Sequence, residues 1–214
     1  MAYNRFPITN VEGDLVAQHR DPDEKLYASL ELNQVAFPKT GMVVSQTPLG
    51  SAFTKAAPCE NGMWVVADKA AGAINPPAAA TDAPIGIVYT TEKEYDMMHY
   101  GLQRFGRKVA GDYPRVGILG VGDTVTTNCL QYSTSVFADD EALLEALKKD
   151  LSVAGNALYV IPGNASDAAA SSAKAVPVIV KAAGIPQAGI YGRIVKFYTI
   201  PNGGIGVKYQ IVRL

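Results

Sequence analysis

RIVKFYTIPNGGIGVKYQIVRL, residues 193–214, decides how the rest of the chain is read. Two β-rich runs, Arg193–Ile200 and Ile205–Leu214, flank Pro201-Asn202-Gly203-Gly204. In the second run Ile205, Val207, Tyr209 and Ile211 alternate with Gly206, Lys208 and Gln210. A period of two sends one set of side chains to a buried face and the other toward solvent. Asn-Gly supplies the positive φ angles that a tight connection needs. The pattern predicts a β-hairpin.

Working outward, shorter strand candidates are separated by turn residues: Lys25–Asn33, Gly41–Ser45, Gly62–Val66, Ile85–Thr90 and Ala157–Ile161. Lys25–Asn33 alternates cleanly, with Leu26, Ala28, Leu30 and Leu32 on one side. Asp139–Leu151 is the one clear helix. Asp139 or Asp140 can cap it, Leu143, Leu144, Leu147 and Leu151 form a stripe, and Lys148 and Lys149 stand near its end. Many strands, close turns and one helix predict a mainly β fold, a β-sandwich or barrel, with one short helix (139–151) and an extended N-terminal arm.

The arm is residues 1–24. It has little apolar periodicity, closes on Asp21-Pro22-Asp23, and has few large apolar residues to offset the entropy of ordering. The β-rich domain is 25–214, with long loop excursions expected at 67–84, 92–112 and 163–175. The first contains Pro76-Pro77-Ala-Ala-Ala80, and the last the low-complexity run GNASDAAASSAK at 163–174. A helical turn is expected near Tyr95–Met98 within the second.

Apolar residues make up 48% of the 214 and charged residues only 18%, which suits a chain that is well packed or has much of its surface covered by neighbours. A net charge of −1 and a pI near 6.1 leave no electrostatic footprint for nucleic acid. The densest basic group is only Arg104, Arg107 and Lys108. MAYNRFPITN has no apolar signal region. The longest apolar run, Ala175–Ile185, contains Pro177 and Lys181 and is too short to span a bilayer. No membrane partner is expected. Cys59 and Cys129 read as reduced, buried thiols of a protein made inside the cell.

Four motifs invite a chemical reading. Gly117 and Gly122-Asp123-Thr124 match the phosphate-loop spacing except that Asp123 stands where lysine belongs. An anion there repels phosphate, and Thr124-Val125-Thr126-Thr127 favours strand rather than helix. Gly120–Asp123 is therefore expected to be a turn between strands. Ser171-Ser-Ala-Lys174 and Lys39-Thr40-Gly41 resemble serine-enzyme motifs, but in the wrong order and context. His19 and His99 are too few for a histidine zinc site. Glu92, Glu94 and Asp96 read as a solvated face, and Asn164-Ala-Ser166 matters only on a secretory route. No residue is assigned a catalytic, cofactor-binding or metal-binding role, and no cofactor is expected.

The remaining candidates are contact residues. Tyr95, Tyr100, Phe105 and Tyr113 punctuate 92–113, with Arg104 and Arg107 among them. Tyr and Arg anchors with balanced charge suit a protein interface better than a base- or sugar-stacking platform. Glu92-Lys-Glu-Tyr95, Gly101-Leu-Gln, Gly111-Asp-Tyr-Pro-Arg-Val116 and Gly122-Asp-Thr-Val-Thr-Thr-Asn128, with the opening MAYNRFP, resemble head structural proteins of tailed bacteriophages, of the capsid decoration or cement type. That resemblance implies a non-enzymatic virion protein, made in the host cytoplasm, whose partners are the major capsid protein and its own copies. A symmetric homo-oligomer, a trimer in particular, is implied. Tyr3, Phe6, Tyr95, Tyr100, Arg104, Phe105 and Arg107 are then the expected interface residues. The rivals are a carbohydrate- or receptor-binding sandwich on the virion, a major shell or tail-tube subunit and, weakest of the three, an enzyme.

Overall fold

The computed structural model describes residues 3–5, 43–68, 72–77, 84–89, 109–163, 174–185, 189–199 and 205–213. Their elements are β1 (Tyr3–Arg5), β2 (Val43–Val44), β3 (Trp64–Asp68), β4 (Ala73–Asn75), β5 (Ile85–Val88), β6 (Val116–Ile118), β7 (Thr124–Thr127), β8 (Gln131–Ser133), α1 (Asp140–Lys148), β9 (Leu158–Ile161), β10 (Val178–Lys181), β11 (Ile190–Thr199) and β12 (Ile205–Arg213). They form two sheets, a seven-stranded one in the order β1-β8-β10-β9-β11-β12-β7 and a five-stranded one in the order β2-β6-β5-β3-β4. The fold is a β-sandwich with a single α-helix among the described residues, besides two short 3-10 turns at Ala154–Asn156 and Ala182–Gly184. All strand pairs are antiparallel except β10 with β8.

The expected hairpin is β11 and β12, paired from Ile190↔Arg213 to Thr199↔Ile205. Val207, Tyr209 and Ile211 are buried and Gln210 is exposed, as a period of two requires. β11 departs from strict alternation. A bulge between Ile194 and Lys196 leaves Val195 unopposed and 57% exposed, and returns Phe197 to the core side. Gly192 on β11 has a packing reason: a Cβ there would lie 2.7 Å from the Tyr209 ring.

The five-stranded sheet is buried on both faces. Trp64, Ile85 and Ile87 meet Val125, Tyr209 and Ile211 of the other sheet. Their chain neighbours Val65 and Val88 point into a second cluster with Leu49, Phe53, Met63 and Ile74. That is why 62–66 and 85–90 read as unbroken apolar runs.

α1 is shorter than the expected 139–151. Asp139 caps it by accepting from the Ala142 N–H at 2.8 Å. It ends at Lys148 because Asp150 turns its carboxylate onto Ser152, accepting from that residue's N–H at 3.0 Å and hydroxyl at 2.6 Å. Leu151 still reaches the core, from the turn rather than from the helix.

Four short strands were not expected, and β1 is the first, within the segment read as an arm. β4 lies inside the 67–84 stretch read as a loop, as does the end of β3. β8 had no strand signal, and β10 occupies the apolar 175–185 run. The strand expected at 25–33 lies outside the described residues. No described helix is long and apolar enough to cross a membrane.

Candidate functional site

The phosphate-loop look-alike is the turn that carries the chain from one sheet to the other, β6 to β7. Gly122 takes a φ of 98°, which its lack of a Cβ permits. Asp123 is fully buried, and its Oδ2 accepts from the Gly120 N–H at 2.6 Å. Its backbone accepts from the Ile211 N–H, while the Gly122 N–H donates to the Ile211 carbonyl, both at 2.8 Å. The aspartate therefore closes the turn and ties it to β12. A lysine could not make this contact.

The polar run that follows is also architectural. Asp123, Thr126, Thr127, Asn128, Gln131 and Ser133 are all buried. Thr127 Oγ1 accepts from the Cys129 N–H at 2.9 Å, and Gln131 Nε2 donates to the Val176 carbonyl at 2.7 Å. Cys59 and Cys129 are buried in the second cluster, as expected.

The chemistry expected from sequence was contact, and one contact site stands out at the edge of the seven-stranded sheet. β1 lies antiparallel on β8 in the register Tyr3↔Ser133, Asn4↔Tyr132 and Arg5↔Gln131. Asn4 Nδ2 donates to Tyr132 Oη at 3.3 Å, and Tyr132 Oη donates in a very short bond to Asp140 Oδ1 in the first turn of α1. Tyr132 is fully buried and meets Phe137 edge-on at 6.1 Å. Lys181 lies over the other partner of that pair, 5.3 Å from the Phe137 centroid. Burial first, and then the bond to Asp140, pushes the Tyr132 hydroxyl pKa up, while the bond from Asn4 pulls it down. At neutral pH it is a fixed donor.

Of the expected interface residues, Tyr3 is in β1. Phe6, Tyr95, Tyr100, Arg104, Phe105 and Arg107 lie outside the described residues, as do His19, His99, Glu92, Glu94, Asp96, Ser171 and Lys39. The 92–112 excursion is described only at its end, where it is fastened to the 49–53 loop. The Ala110 N–H donates to the Phe53 carbonyl at 2.9 Å, and Leu49 exchanges bonds with Gly111 and Asp112 at 3.0 and 2.9 Å. Tyr113, just beyond, is 56% exposed.

Asn4 and Tyr132 are not singled out by the sequence, and Asp140 only as a candidate helix cap. Leu130 and Tyr132 do alternate with Gln131 and Ser133, but the run is too short to stand above chance. Elsewhere, a cleft of about 460 Å3 lies between the end of α1 and the β11 bulge, with Lys148, Lys149 and Lys196 around Leu147 and Phe197. Among the described residues no three His, Cys, Asp or Glu side chains gather as a metal site would require. No family model, curated protein or solved structure matches this chain.

Proposed function

We propose that this chain is a non-enzymatic virion structural protein of the capsid decoration or cement kind, which binds the assembled shell and its own copies. The observation that carries the reading is the β1–β8 pairing. The start of the arm is held by strand addition, a mode in which backbone hydrogen bonds give affinity and a few side chains give register. The next described strand, β2, belongs to the other sheet, so residues 6–42 are tied to the sandwich at both ends. A long segment anchored in that way is suited to lie across neighbouring molecules. The buried setting of Asp123 and the 126–133 polar run adds support, because the motif nearest to a ligand site is used up inside the fold.

A cement protein acts by mass action. It binds assembled shell and not free subunits, so the shell becomes harder to take apart. Removing residues 1–24 tests the assignment. Both sheets are built almost wholly from residues 43–213, so the truncated chain keeps its β circular dichroism and a cooperative melt. It no longer sediments with particles. Particle binding as strong as that of the full chain would refute the role given to the arm.

A further inference from the structure

We infer that β1 is an exchangeable strand: in the oligomer, Tyr3–Arg5 of one copy occupies the β8 edge of a second copy. The inference deepens the self-association part of the proposed function and rests on that reading. The occupant is fixed by fit. Every copy carries the same β8 edge and the same matching strand, and the register is set by a side chain, through the Asn4 amide on Tyr132 Oη. β1 is the last strand of its sheet and only three residues long, and its pairing with β8 involves residues 128 apart in sequence.

The receiving edge needs a strand. Gln131, Tyr132 and Ser133 are all buried, and without β1 the outer backbone edge of β8 would lose its strand partner and Tyr132 Oη the bond from Asn4. Pairing within a chain and pairing between chains make identical contacts. What separates them is the tether: residues 6–42 could reach at most about 130 Å when extended, and a tether that long lowers the effective concentration of β1 at its own edge. Copies held side by side at high local concentration therefore compete well with the tether. A swapped element is a low-cost route to a closed symmetric assembly.

The test uses two full-length single variants, Tyr3→Cys and Ser133→Cys, one of them carrying a size tag. Tyr3 and Ser133 are direct cross-strand partners, within disulfide reach. Neither variant alone can form this bond inside one chain. Co-expression and oxidation should give a tagged–untagged covalent dimer, with the linked peptide mapped by mass spectrometry to positions 3 and 133. A chain carrying both Tyr3→Cys and Ser133→Cys that cross-links only within single chains, with no mixed dimer from the single variants, would overturn the inference. Should Ser133→Cys fold poorly, a photo-crosslinking phenylalanine analogue in place of Tyr3, on heavy-isotope chain mixed with light chain, reads the same question. Heavy-to-light links to residues 131–133 support exchange, and heavy-to-heavy links alone contradict it. Particle binding is read separately by sedimentation, so loss of shell binding with intact mixed dimers would fault only the capsid reading.

Discussion

Trp64 Nε1 donates a 2.9 Å hydrogen bond to Tyr209 Oη, joining β3 of the five-stranded sheet to β12 of the seven-stranded one. Their rings meet edge to face with centroids 6.0 Å apart, and both side chains are fully buried. Removing the hydroxyl leaves a buried indole N–H without its acceptor. Tyr209→Phe should therefore lower unfolding free energy by about 1–3 kcal/mol, read by urea denaturation followed through the single tryptophan. An unchanged midpoint would mean that the bond contributes nothing to sheet-on-sheet packing.

The same pair makes the fold alkali-sensitive. Burial, opposed by the weaker effect of the Trp64 bond, pushes the Tyr209 pKa far above its usual 10.0. Tyr132 and Tyr89 are also raised, chiefly by burial. A raised folded pKa gives stability that is complete below the unfolded value and lost as pH climbs above it. Stability should thus be level up to about pH 10 and fall beyond it. Absorbance titration should show the Tyr209 phenolate appearing only with unfolding, and Tyr209→Phe should flatten the alkaline decline.

Asp123 offers a test of turn against phosphate loop. Asp123→Ala removes the acceptor of the Gly120 N–H and should cost about 1–3 kcal/mol, while Asp123→Asn, which keeps an acceptor, should cost less. Calorimetry with ATP should give no binding heat for the natural chain. Saturable ATP binding would reinstate the nucleotide reading.

Asp139 caps α1, whose Leu143 and Leu147 fill the main core. Asp139→Ala should lower stability by about 1 kcal/mol, and Asp139→Asn should recover most of the loss. A thermal melt monitored by circular dichroism reads both.

What the sequence made legible was local. The 193–214 hairpin follows from alternation plus Asn-Gly, and the α1 start follows from Asp139 before a leucine stripe. The Asp123 substitution and its β-branched sequel exposed the false phosphate loop. What stayed hidden depends on distance along the chain. Trp64 and Tyr209 are 145 residues apart, and Asn4 and Tyr132 are 128 apart. β4 and β8 have three residues each, shorter than any periodic signal. The helix was read too long because Leu151 continues the stripe, whereas the Asp150–Ser152 turn that breaks it is a side-chain effect.

Sedimentation of the purified chain with virus particles tests the central proposal most directly. On that proposal, particles of the phage that would encode the chain are prepared without it, mixed with it, and spun beside an equal mass of unassembled shell subunits. The chain should pellet with the particles at a saturating, fixed ratio and stay in solution with the subunits. A chain that remains in the supernatant with intact particles, or that binds free subunits equally well, would contradict a role in cementing an assembled shell.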